Sequence, residues 1–115
     1  MKCSDGKPPR GTRRVYGWKD LPDNEQPTHY HVIDRNGHET TVSAKGKKKR
    51  VLEGLRRAPL LSASYCRLSD QVDLLRRAGL DIETTLYKND PETGRERYGV
   101  YTLHGSVSPI RGDAA

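Results

Sequence analysis

The chain has 115 residues, 32% apolar and 31% charged, with a formal net charge of +6, no phenylalanine and a single tryptophan, Trp18. So short and polar a chain can bury one modest core of Leu, Val, Ile and Tyr, which speaks for one small domain acting as a binding module and against a large enzyme cleft. Residues 1–28 hold no apolar run of the kind a signal peptide or membrane span needs, and Cys3 and Cys66 lie far apart, so a cytoplasmic protein without a disulfide is expected.

The first 28 residues carry four prolines and three glycines without sustained periodicity, which predicts a flexible basic arm. Arg10, Arg13 and Arg14, followed by Tyr16 and Trp18, suit contacts along a nucleic-acid backbone or in a minor groove. A tail without fixed contacts accounts for them equally well.

Residues 29–43, "HYHVIDRNGHETTVS", read as a β-hairpin whose Asn36-Gly37 pair tolerates the positive φ angles of a type I′ turn. A helix follows from about Lys45 to Arg57, with Val51, Leu52 and Leu55 at helical spacing and Pro59 ending the pattern. Residues 45–57 hold seven Lys/Arg and one Glu, so the whole surplus of charge is concentrated here. The lysines fall in the first turn, the wrong end for the helix dipole, which points weakly towards an anionic ligand.

"LLSASYCR" (60–67) reads as a short helical turn at most, anchored by Leu60 and Leu61. Ser69 suits an N-cap, Asp70 suits the positive end of a helix, and Leu68, Val72 and Leu75, with Leu74 beside them, form its inward face. Gly79 supplies the stop. From Leu80 the alternation of Ile82, Thr84 and Leu86 with Glu83, Thr85 and Tyr87, the turn "NDPETG" and the return "RYGVYTL" predict a second hairpin with basic shoulders, and residues 105–115 a disordered tail.

The order of hairpin, helix, short helix, helix and hairpin reads as an α+β winged helix-turn-helix over residues 29–104: an N-terminal β-hairpin, three short helices and a C-terminal β-hairpin wing. "LSDQVDLLRRAGLDIET…YGVYTL" resembles the biotin-repressor type of winged helix-turn-helix, and Tyr30 to Leu103 is similar to short winged-helix proteins of phages and prophages. The resemblance implies a third helix in the major groove and a wing over phosphates, and it extends to the DNA-binding half alone, so no ligase activity is expected.

In that reading the groove-facing residues are Ser69, Asp70, Gln71, Asp73, Arg76 and Arg77. Gln71 can pair with adenine, an arginine with guanine, and a carboxylate can accept from the cytosine amino group. The plainer reading makes Asp70 a helix-start residue and Asp73 the i,i+4 partner of Arg77. Phosphate contacts fall to Lys45, Lys47, Lys48, Lys49, Arg50 and Arg67, and in the wing to Lys88, Arg95 and Arg97. His29, His31, His38 and His104 match no common zinc spacing, Cys66 has no orienting motif, and the glycines cradle no phosphate, so neither metal, cofactor nor catalysis is expected.

The expected function is sequence-specific binding of double-stranded DNA, by a small transcriptional regulator or a phage architectural factor of the excisionase kind. Homodimerisation is compatible with it, because one short helix reads few base pairs. The rival is a winged-helix adaptor that binds a host polymerase, nuclease or defence complex, which the acidic residues of the third helix would suit. RNA binding ranks third, for want of an exposed aromatic platform.

Overall fold

The computed structural model describes residues 3–4, 7–62 and 68–110. Its elements run β1 (Cys3–Ser4), β2 (Arg13–Val15), a 3-10 turn (Trp18–Asp20), β3 (Thr28–Ile33), β4 (Glu39–Ala44), α1 (Gly46–Arg57), β5 (Leu60–Ser62), α2 (Leu68–Ala78), β6 (Ile82–Lys88), β7 (Arg97–Leu103) and β8 (Ser106–Pro109). The strands form a five-stranded sheet in the order β1-β6-β7-β5-β2 and a three-stranded sheet in the order β4-β3-β8. In the larger sheet β6, β7 and β5 are antiparallel neighbours, while β1 and β2 add to its edges in parallel.

The class is α+β as expected, but the winged helix-turn-helix with three short helices is not what the chain builds. Two α-helices are present among the described residues, and the start of the expected middle helix is strand β5. Leu60 and Leu61 explain why. Leu60 is fully buried in the main core, whereas its neighbour Leu61, 2% exposed, packs with Tyr87, Tyr98 and Val100 on the other side of the sheet. Consecutive apolar residues buried on opposite sides satisfy the period of two of a strand, and no helix can place them so. Pro59 also keeps its neighbour out of helical geometry. Residues 63–67, the rest of the expected middle helix, lie outside the described residues.

Within the segment read as a flexible arm, residues 13–21 are built into the body. Arg13 to Val15 pair with Leu60 to Ser62, and Val15 (0% exposed) and Leu21 (4%) belong to the main core. The segment read as a disordered tail contributes β8, paired to β3 from Ile33↔Ser106 to Tyr30↔Pro109; residues 111–115 lie outside the described residues.

The first hairpin forms as read, with a different turn. Asp34 N–H donates to His38 O, Gly37 N–H donates to Asp34 O, and Gly37 takes φ +87° while Asn36 stays at negative φ. This is the longer loop with a left-handed glycine closing a type I-like turn, and the Asp34 carboxylate steadies it by accepting from the Asn36 and His38 N–H groups. α1 buries Val51, Leu52 and Leu55, and α2 buries Leu68, Val72 and Leu75. Leu74, read as inward, is 46% exposed. α2 starts at Leu68, which puts Ser69 inside its first turn, and Gly79 ends it at φ +119°.

Candidate nucleic-acid interface

The register of the β6–β7 hairpin sorts its side chains onto two faces. Ile82, Thr84, Leu86 and Lys88 on β6 stand opposite Leu103, Tyr101, Gly99 and Arg97 on β7. Ile82 and Tyr101 join the main core on this face, and Arg76 of α2 reaches across to it. Glu83, Thr85 and Tyr87 point the other way, where the Tyr87 and Tyr98 rings stack at 5.7 Å.

On the α2 face, Ser69, Asp70, Asp73 and Arg76 line an open cleft of about 310 Å³ with Thr84 and Tyr101. Four of the six residues read as groove-facing therefore gather around one cavity. Arg76 is held there by donating from Nε to the Ile82 carbonyl at 2.9 Å and from its terminal nitrogen to the Thr84 hydroxyl. Arg77 pairs with Asp73 at 3.0 Å, both exposed, which is the i,i+4 pair the spacing suggested. Gln71 is half-buried and lies outside the cleft.

Further along the same face the hairpin ends on Lys88 and Arg97, Cα partners across the ladder and both exposed. Among the described residues neither forms an ion pair. Like charges directly opposite on neighbouring strands destabilise a sheet. Arg95, read with them, donates to the Ser62 carbonyl at 2.9 Å.

The cations of α1 fare differently. Lys49 is 5% exposed and donates to Asn24 Oδ1 at 3.0 Å and to Thr28 Oγ1 at 2.7 Å, so it is part of the packing. Arg50 pairs with Glu25 at 3.2 Å and donates to the Trp18 carbonyl at 2.5 Å. Lys47 sits over the Trp18 ring, 4.7 Å from its centroid, the contact of a cation with an aromatic face. Lys45 and Lys48 form no ion pair among the described residues, nor do Arg10 and Arg13 of the former arm. Arg14 is fully engaged, at 2.7 Å from Asp90 and 2.6 Å from Glu92. The Arg14 guanidinium, donating two hydrogen bonds, holds the Asp90 carboxyl well below the usual carboxylate range. Arg67 lies outside the described residues.

Sequence reasoning assigned no individual ligand contact to Thr84, Tyr101 or Arg57. The first two were legible as strand residues in step with Lys88, since the period of two carries one face from Ile82 to Lys88. Arg57 was counted in the basic run without a role. Among the described residues no three His, Cys, Asp or Glu side chains gather to hold a metal ion, and no helix is long and apolar enough to cross a membrane. No protein-family model matches the chain, and no curated protein or solved structure matches it.

Proposed function

We propose that the protein binds double-stranded DNA through the face shared by α2 and the β6–β7 hairpin, as a small transcriptional regulator or an architectural factor in the cytoplasm. The observation that carries this reading is the pair Lys88 and Arg97, set opposite each other at some cost to the fold and without a carboxylate partner among the described residues. Phosphates are the anions that such a pair suits. Thr84 and Lys88 are four strand residues apart, about 13 Å, of the order of the distance from base edges to flanking backbone in a major groove about 12 Å wide and about 8.5 Å deep. The α2 cleft can therefore meet base edges while Lys88 and Arg97 meet the flanking backbone. Ser69, Asp70 and Asp73 would then discriminate bases, and Lys45 and Lys48 would add charge.

Fluorescence anisotropy across a salt series tests this. Each phosphate contact contributes about 0.9 to the slope of log affinity against log salt. Lys88→Ala with Arg97→Ala should weaken binding to all duplexes and reduce that slope by about 2. Asp73→Ala should change sequence preference. Binding that ignores salt, or a double variant with wild-type affinity, would overturn the proposal.

One observation favours a second reading. Leu74, 46% exposed, stands on the outer surface of α2 between Asp70, Asp73 and Arg77, the composition of a small protein-docking patch. No salt-dependent DNA binding, together with Leu74→Ser abolishing a protein contact that Lys88→Ala spares, would favour it.

A further inference from the structure

A second concave site lies away from that face. Gly11, Arg13, Leu21, Pro22, Gly54, Arg57 and Ala58 line a cleft of about 200 Å³ where the start of β2, the end of α1 and the Leu21-Pro22 segment meet. Arg13 is delivered by β2, whose first N–H donates to the Pro59 carbonyl at 2.9 Å and brings the strand beside the end of α1. Gly54 forms part of the wall at close quarters: a Cβ there would sit 2.8 Å from Leu21 Cδ2 and 3.3 Å from Leu60 Cδ1, so a larger residue would have to displace those side chains. Of the lining residues only the two arginines are charged, both are exposed, and neither forms an ion pair among the described residues.

The end of a helix attracts a cation, and this accounts for Arg57 in the last turn of α1. It does not account for Arg13, which arrives from a different element and adds a second arginine to the lining of the same cavity. We infer that the Arg13–Arg57 cleft binds a phosphomonoester. The group is close to a dianion at neutral pH, which matches two cations, and guanidinium forks suit phosphate oxygens. A backbone diester has a single charge and a chain leaving on both sides, which suits a concave seat less well. The volume is below the range of about 300–1,000 Å³ for drug-sized ligands, so it suits a phosphate with a sugar-sized remainder. The apolar Leu21, Pro22 and Ala58 walls would take that remainder. This inference is independent of the DNA reading, which rests on other residues.

Isothermal titration of the full chain with ribose 5-phosphate, ribose and dimethyl phosphate tests it, together with a 5′-phosphorylated duplex against its 5′-hydroxyl form. The expected result is saturable binding of ribose 5-phosphate and none of ribose or the diester. If the phosphate belongs to a strand end, the 5′-phosphorylated duplex alone is preferred. Arg13→Ala and Arg57→Ala should each weaken binding at least about tenfold, with the fold retained and, for Arg57→Ala, only the small loss of stability that a cation in the last turn of a helix supplies. Arg57→Lys should fall between, since it keeps charge and loses the fork. Lys88→Ala with Arg97→Ala should leave the phosphoester affinity unchanged while weakening duplex binding, which separates failure of one proposal from failure of the other. Equal binding of monoester and diester, no preference for either phosphorylated ligand, or Arg57→Ala at wild-type affinity would overturn the inference.

Discussion

At the closed end of the β6–β7 hairpin, two residues of chain separate two opposite treatments of charge. Asp90, 2% exposed, is met by Arg14 with two hydrogen bonds of 2.7 and 2.9 Å and by the Thr93 hydroxyl at 2.6 Å. Lys88 and Arg97 stand side by side in water and pair with no carboxylate among the described residues, although Glu96 is adjacent in sequence. The first arrangement ties β2, a strand at the edge of the sheet, to a loop 76 residues away. The second ties nothing together and costs the fold something. A cation that the fold needs is consumed by the fold, so the cations left over are the ones to test for a partner outside the molecule.

The largest effect should come from breaking the satisfied side. Asp90→Ala leaves Arg14 and Thr93 without their buried acceptor, and removing one member of a buried pair costs about 3–5 kcal/mol. Arg14 keeps some contact with water, its side chain being 25% exposed, and Glu92 remains beside it, so about 3 kcal/mol is expected. Chemical denaturation measures it, and an unchanged midpoint would remove the clamp from the account. The same pair sets an acid dependence. The Arg14 hydrogen bonds depress the Asp90 pKa in the folded chain, so its contribution is fully present above the unfolded carboxyl value of about 3.9. That contribution is lost as pH falls below this value towards the depressed native one, because the unfolded chain takes up the proton first. Stability measured from pH 5 down to pH 2 should fall, and Asp90→Asn should flatten the decline.

Which of these features the sequence discloses depends on the range of the interaction behind them. α1, both long hairpins and the α2 stop at Gly79 follow from local periodicity and turn chemistry, and they form at about the expected bounds. The Asp73–Arg77 pair is equally local. β2, β5 and β8 escaped because three or four residues are too few to show alternation, and their pairing partners are remote: Arg13 with Leu60, Ile33 with Ser106. Reading Leu60-Leu61 as a helical turn turned the whole arrangement into a winged helix. The candidate site was legible as a list of residues on α2 and the hairpin. Its accounting was not, since Lys49, Arg50 and Arg14 find partners 21 to 76 residues away. Leu74 was misassigned because α2 is covered on a narrower stripe than its apolar content suggests.

α1 and α2 repeat the contrast on a smaller scale. α2 has Asp70 in its first turn and Arg76 and Arg77 in its last, in accord with the helix dipole. α1 has no acid in its first turn, and its N-cap, Lys45, makes no side-chain capping bond although its backbone is extended as a cap requires. Lys45→Asp should therefore stabilise the protein by about 1 kcal/mol, through a new acceptor for the first N–H groups and a favourable charge. Thermal melting reads the gain. If Lys45 serves DNA, affinity should drop at the same time; a variant that gains stability and keeps full affinity would remove Lys45 from the interface.

The smallest change in stability should come from Lys88→Glu, and it is the most informative about the hairpin. It turns the opposed like charges into a cross-strand pair with Arg97, which is worth about 0.5 kcal/mol at an exposed position. The gain should fade as salt is raised. DNA affinity should move the other way and by more, because the substitution removes one phosphate contact, occupies Arg97 and adds a repulsive charge. Opposite signs for stability and affinity are what distinguish a cation kept for a ligand from one kept for the fold. Lys49→Met provides the reference: there a buried ammonium with two acceptors is removed, so stability should fall, while the salt slope of DNA binding stays at its wild-type value in the folded fraction. Should Lys88→Glu lower stability as Lys49→Met does, the unpaired hairpin cations would belong to the fold after all, and the functional surface would have to be sought elsewhere on the molecule.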